Sequence, residues 1–259
     1  MADTPLKGLG VLVTRPRAQA AELMAAIEDQ GGIAISFPVI EIVPRAASDV
    51  AADVAALPHP DIALFVSRNA VYHGLAYANG ALKGATGPTT AAAIEAAGAS
   101  VEIMPASGYD SESLLAEPAL QDVAGKQVRI IRGGGGRELL ASTLTERGAH
   151  VHYLSVYERR LPESSRQSLA KIEAAWRDGK INVITIMSVE TLSNLLDLLS
   201  DWCLQHFDDV PLVTPSARVI KEVLDRFPAA RPVLASGPQA SDMVDAITKL
   251  NRIDSGTAL

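Results

Sequence analysis

With 259 residues, 48% of them hydrophobic and 4% aromatic, the chain is long enough for two compact domains with substantial apolar cores. Its formal net charge of −7, from 23 basic and 30 acidic side chains, excludes the basic face that nonspecific nucleic-acid binding needs, so an anionic ligand must meet a local group of arginines. The single cysteine, Cys203, excludes an internal disulfide framework, no apolar run approaches the roughly 18 residues of a membrane span, and MADTPLKG lacks a signal-peptide core, so the expected address is the cytoplasm.

From the N-terminus, VLV at 11–13 reads as a strand, and Leu23 and Ile27 then recur at helical spacing until Gly31 closes the helix. A short strand leads into FPVIEIVPR, which is extended and bounded by prolines. IALFV forms the next strand, and SRNAV opens a helical pattern at Ser67; GPTTAAAIEAAG, with Thr90, opens another. The stretch VRIIRGGGGRELL, residues 128–140, runs from a strand through four glycines into a helix. Beyond it YLSVYERRLP is again extended, SVETL starts a helix at Ser188, and TPSARVIKEVL starts one near Ser216.

Half of this order repeats the other half. Val11 laid over Val128 needs no gap for 32 residues at an offset of 128 minus 11, or 117, and it sets Arg15 on Arg132, Leu23 on Leu140, Ile27 on Leu144, Gly31 on Gly148 and Glu41 on Glu158. IALFVSRNAV then matches NVITIMSVETL, GPTTAAAIEAAG matches TPSARVIKEVL with Thr90 against Ser216, and SGYDSESLL matches SGPQASDMV. Four blocks in one order indicate an internal duplication.

Strands alternating with helices of this length predict an α/β fold of two similar parallel-sheet domains with helices on both faces, and such sheets bind ligands beyond the carboxyl ends of their strands. Arg15, Ser67, Arg132 and Ser188 fall at those ends. Two arrangements fit. The simpler is two sequential domains split near residue 124. In the other, the extended segments 38–43 and 153–159 form a two-stranded antiparallel connector, residues 1–37 plus 160–259 make one discontinuous domain, and 44–152 make the second.

The glycine loop is no P-loop, because Arg137 and Glu138 stand where Lys and Ser or Thr would be needed, and the equivalent TRPRAQ of the first repeat has no glycine at all. Gly133, Gly134 and Gly135, flanked by Arg132 and Arg137, either make a tight turn or offer N–H groups to a carboxylate or phosphate. Arg15 is either a strand-end arginine or a ligand to an anion. Ser67, Thr90, Ser188 and Ser216 read as N-caps, a role compatible with binding an anion at the same helix end. Tyr157 is ordinary strand packing or a phenol that donates a proton, with Arg159 and Arg160 behind it. Cys203 and His206 lack a second ligand pair, and His59, His73, His150 and His152 are scattered, so neither a metal site nor a nucleophilic triad is expected.

Taken together, VLVTRPRAQAAEL, FPVIEIVP, LFVSRNAV, GPTTAAAIEAAG, SGYDSESLL, IRGGGGRELLASTLTERGAHVHYLSVYERR, IMSVETLSNLL and TPSARV resemble the uroporphyrinogen-III synthase family, in its order and over nearly the whole chain. The resemblance implies two α/β domains joined by a two-stranded ladder, which favours the crossover over the sequential split. It implies a hydro-lyase that closes linear hydroxymethylbilane to uroporphyrinogen III in a cleft between the domains, losing water and inverting ring D through a spiro intermediate. No cofactor or metal is implied; the enzyme is expected to act as a monomer, with hydroxymethylbilane synthase upstream.

On this resemblance Tyr157 is the candidate general acid, RGGGGRE is a place where backbone amides meet substrate carboxylates, and Ser67, Thr90 and Ser188 are ligand contacts. Ser216 transfers least securely, because TPSARV stands where other members have a glycine-led block. Two other classes compete. A two-lobed protein that binds an anionic metabolite without reacting would also show duplicated lobes, but would not need Tyr157. A dinucleotide-dependent oxidoreductase needs an acidic ribose partner about 20 residues past the loop, where Glu158 lies in the connector instead.

Overall fold

The computed structural model describes residues 4–135 and 138–254. Its strands are β1 (Gly10–Val13), β2 (Ile33–Ser36), β3 (Glu41–Pro44), β4 (Ile62–Phe65), β5 (Leu82–Ala85), β6 (Gln127–Gly133), β7 (His150–Arg160), β8 (Val183–Thr185), β9 (Leu212–Thr214) and β10 (Pro232–Leu234). The helices used below are α1 (Arg17–Asp29), α2 (Arg68–Gly74), α3 (Pro88–Ala96), α4 (Leu139–Glu146), α5 (Glu163–Arg177), α6 (Val189–Leu198) and α7 (Ala217–Arg226). Among the described residues no helix is long and apolar enough to cross a membrane.

The chain divides into two compact units, Met1–Glu41 with Arg160–Leu259, and Ile42–Arg159. Among the described residues each holds one five-stranded sheet, in the orders β10-β9-β8-β1-β2 and β3-β7-β6-β4-β5. The ladders β1–β2, β1–β8, β8–β9 and β9–β10 of the first sheet are parallel. So are β4–β5, β4–β6 and β6–β7 of the second. Every residue of β1, β4, β8 and β9 is buried, as expected of parallel strands covered on both faces, whereas β2, β3 and β10 are partly exposed.

The duplication is visible in the register. Gly10 lies opposite Ile33 in the β1–β2 ladder, and Gln127 lies opposite His150 in β6–β7, so both partners advance by 117 (127 minus 10 and 150 minus 33). Val11 faces Val183, and its repeat mate Val128 faces Ile62, the mate of Val183. Each sheet is therefore assembled from both repeats: β1 and β2 of the first join β8, β9 and β10 of the second, while β6 and β7 of the second join β4 and β5 of the first. Equivalent apolar patterns select equivalent registers, because a slip by one residue would turn every buried side chain to the opposite face. The helix ends repeat as well. Gly31 and Gly148 take φ of +81° and +84° and donate to Glu28 and Thr145, closing α1 and α4.

The connecting segments differ from the expected ladder in detail. Residues 38–40 are in no strand, because the Val39 N–H donates to the Thr14 carbonyl (3.2 Å) and its carbonyl accepts from Asn194 of α6 (3.0 Å). Ser165 of α5 donates to the Pro38 carbonyl. Only from Glu41 does the chain become β3, which neighbours β7, with the Arg45 N–H on the Val156 carbonyl at 3.1 Å. Residues 153–159 belong to the long β7, which pairs with β6 in the parallel sheet from His150 to Ser155 and, past a register shift, at Tyr157.

Arg129, in the middle of β6, is 3% exposed, and burial pulls its guanidinium below the ordinary value. It donates to the carbonyls of Tyr77 (3.0 Å), in the short 3-10 helix Leu75–Ala78, and Pro58 (2.7 Å), in a loop, tying both to the sheet. Arg129→Met keeps the apolar stem and deletes both charge-assisted bonds, so it should cost about 1–3 kcal/mol, read as a lower urea midpoint at unchanged m. An unchanged midpoint would mean that the desolvation of the charge cancels the two bonds.

Candidate functional site

In the second unit Ser67, Thr90, the glycine loop and Tyr157 all follow or end strands at the carboxyl side of one sheet. Ser67 lies two residues beyond β4, where its side chain caps α2 by accepting the Ala70 N–H at 3.1 Å. The same Oγ lies 3.1 Å from the Tyr157 hydroxyl, across 90 residues of sequence. Tyr157 sits on β7 and is fully buried, with the His73 ring 6.2 Å away, centroid to centroid. Arg159, two residues on and exposed, donates from Nη2 to the phenol oxygen at 3.4 Å, with its guanidinium 5.8 Å from the ring centroid. Two candidates chosen separately from sequence are thus one hydrogen-bonded pair, and Arg159 joins them.

The start of the glycine loop is built against the same tyrosine. The β6–β7 register shifts between Arg132 and Gly133, and a Cβ on Gly133 would stand 2.4 Å from the Tyr157 ring, so only glycine lets the strand pass over it. The Gly134 N–H donates to the Tyr157 carbonyl at 3.0 Å. That corrects one expectation: this amide extends the sheet and is not held out to a ligand, so donors for an anion must come from farther along the loop. Gly135 is exposed with φ of +70°. Arg137, expected to flank the loop, lies outside the described residues.

Arg132 and its repeat mate Arg15 are each only 7% exposed. Arg15 donates from Nη2 to the Pro238 carbonyl, and Arg132 from Nε to the Gly133 carbonyl at 3.3 Å. Arg132 also lies 3.6 Å from the Glu138 carboxylate and 4.6 Å over the Tyr153 ring, while Tyr153 donates to Glu138 at 2.7 Å. Burial, reinforced by that carboxylate, pushes the Tyr153 phenol up to about 12 and keeps it protonated. The arginine expected as a surface ligand is thus part of a cation, ring and carboxylate cluster that braces both ends of the loop.

The four hydroxyl candidates divide. Ser188, like Ser67, is a true cap: it accepts the Thr191 N–H at 3.1 Å, and its Oγ lies 2.9 Å from Thr191 Oγ1. Thr90 is the third residue of α3 and 3% exposed; the cap there is Gly87, followed by Pro88. Ser216 holds the capping position of α7 but makes no side-chain capping bond, and its own N–H donates to Thr214 Oγ1 at 3.2 Å. Cap for cap, Ser216 therefore matches Gly87 and not Thr90, since each lies two residues past its strand. Sequence reading passed over Tyr109, which is 54% exposed with φ of +42° and packs on Gly87; no residue-type pattern announces a left-handed tyrosine.

The repeats part at the phenol. Ile40, 7% exposed, is the residue that the 117 offset places against Tyr157 (157 minus 117), so the first unit carries the cap serine without the phenol. Cys203 is buried, its thiol pushed up chiefly by that burial, and His206 Nδ1 lies 2.8 Å from the Trp202 carbonyl; among the described residues neither belongs to a group of three or more metal-ligating side chains. Chemically, the second unit offers a proton donor pair beside a cation, next to a loop of small residues.

A family model described as Uroporphyrinogen-III synthase HemD matches residues 21–245. Among curated relatives, the uroporphyrinogen-III synthase of Escherichia coli K12 is 32% identical over 212 residues, 77% of this chain and 83% of that one. The Proteus mirabilis protein of that name is 30% identical over 201 residues, 73% of this chain and 98% of its own. Among solved structures, a mutant uroporphyrinogen III synthase from the extremely thermophilic bacterium Thermus thermophilus aligns with a TM-score of 0.65 at 19% identity, over 94% of this chain and 99% of its own. The Helicobacter pylori uroporphyrinogen-III synthetase aligns at 0.59 and 13%, over 93% and 99%. The chain belongs to the uroporphyrinogen-III synthase family.

Proposed function

We propose that this chain closes hydroxymethylbilane to uroporphyrinogen III, with loss of water and inversion of ring D. The observation that carries this reading is the buried Tyr157 hydroxyl paired with Ser67 at the carboxyl edge of a sheet, in a chain of this family. The hydroxymethyl C–O bond must break to leave an azafulvene cation, the substituted carbon of ring D must attack it to give a spiro centre, and that centre must open and reclose. The pyrroles supply the electrons. The protein's part is to protonate the leaving oxygen, to hold ring D against the easier unflipped closure, and to keep water from the cation.

Tyr157 is the proton source on this reading. Gly135 and the rest of the loop, with Thr90, Ser188 and Ser216 at helix starts, receive the acetate and propionate arms, Ser67 stands beside the phenol, and Arg15 and Arg132 hold the loops in place. A non-catalytic binder would have no use for a phenol that is hydrogen-bonded and absent from the equivalent place in the other repeat. On the same reading the enzyme is a cytoplasmic monomer supplied by hydroxymethylbilane synthase.

Enzymatically generated hydroxymethylbilane, with products resolved by chromatography, tests the activity: isomer III should dominate, and isomer I at the rate of the unaided reaction would refute it. Tyr157→Phe keeps the ring against Gly133 and deletes the hydroxyl, so kcat should fall about a hundredfold or more while KM is nearly kept and isomer III still prevails. Activity within a few-fold of the parent, or a loss that tracks thermal stability, would return Tyr157 to packing.

Gly134→Val addresses the loop. A Cβ there meets nothing within 4 Å, so the variant should fold, and its bulk should raise KM severalfold at little cost to kcat. An unchanged KM would reduce the loop to a turn.

A further inference from the structure

We infer that Ser67 is the group that touches the leaving oxygen and that Tyr157 acts through it, a two-hydroxyl relay that rests on the proposed synthase reading. Tyr157 is fully buried, whereas its two polar neighbours Ser67 and Arg159 reach the surface, and of these only the serine can accept the phenol proton. Hydrogen-bond accounting sets the direction. A serine hydroxyl has one proton to give and two lone pairs to receive, and a phenol is likewise donor and acceptor. The Ala70 N–H occupies one lone pair of Ser67 Oγ as the helix cap. Arg159 can only donate, and it donates to the Tyr157 oxygen; were Ser67 to donate there as well, the buried phenol proton would have no acceptor, so the relay directs that proton at Ser67, where it fills the second lone pair. The remaining Ser67 proton is then committed to none of the three groups and is the one the relay gives to the leaving oxygen.

The step balances without any other reactant. The C–O bond of the hydroxymethyl group breaks and its electron pair leaves with oxygen, which takes the Ser67 proton and departs as water. Ser67 takes the Tyr157 proton at the same moment, and the phenolate formed faces the Arg159 cation. When the opened spiro centre recloses, the free α-carbon of ring D bonds the electrophilic methylene and loses its proton, and the relay run backward returns that proton through Ser67 to Tyr157. The chain ends each turnover as it began, with one water released. The first unit cannot do this: Ser188 keeps the cap, but its Oγ neighbours Thr191 and the phenol position holds Ile40.

The test is a set of variants assayed by single turnover on hydroxymethylbilane, after the parent protein has been shown to make isomer III. That preliminary result decides the synthase reading by itself. Ser67→Ala and Ser67→Asn should each lower the rate about a hundredfold with KM nearly unchanged, and Ser67→Thr, which keeps a hydroxyl, should stay within a few-fold of the parent. Asparagine caps a helix as well as serine does, so its loss of rate cannot be assigned to the cap and it keeps the test open if the alanine variant misfolds. The double variant Ser67→Ala with Tyr157→Phe should be no slower than the slower single one, because one relay is broken only once. Full activity in Ser67→Asn, or a double-variant loss equal to the product of the two single losses, would overturn the relay and leave Tyr157 to act alone.

Discussion

Both sheets depend on a ladder between strands that lie far apart in sequence: β1 on β8, with Val11 facing Val183, and β6 on β4, with Val128 facing Ile62. These strands are buried on both faces, so their pairing is where each unit's core closes. Until β8 arrives from the last third of the chain, β1 and β2 form a two-stranded fragment with an open edge, and neither repeat can complete a sheet from its own strands in the observed order. The exchange of halves follows from that constraint, and so does the discontinuous first unit.

The same ladders deliver the chemistry. Parallel strands end on one side of a sheet, so a residue just past β4 and another near the end of β7 are brought to the same edge however long the chain between them. Ser67 and Tyr157 meet there at 3.1 Å. The meeting is stabilised from below: Gly133 leaves room for the ring, Gly134 bonds the Tyr157 carbonyl, and the Arg132, Tyr153 and Glu138 cluster holds the end of β6, from which both glycines follow Arg132. The glycines that look from sequence like a ligand cradle thus serve first to seat a buried tyrosine.

Duplication supplied two equivalent edges, and they have diverged. Each keeps a serine cap at the same place, one on α2 and the other on α6, yet only the second unit sets a phenol behind it. The shared arginines Arg15 and Arg132 survive as internal ties to loop carbonyls in both units.

The sequence by itself determined the repeat, the strand and helix order, the glycine helix ends at Gly31 and Gly148, the caps at Ser67 and Ser188, and the family. Each of these is written in spacing, local composition or motif order, which neighbouring residues carry without reference to the rest of the chain. Only the tertiary structure decided that Tyr157 bonds Ser67, that Gly134 has its N–H turned into the sheet, that Arg15 and Arg132 are buried, that Ser216 matches Gly87, and that Tyr109 is left-handed. Those facts depend on which distant strands pair and in what register, and a donor or a charge shows its role only once the group it faces has been brought to it.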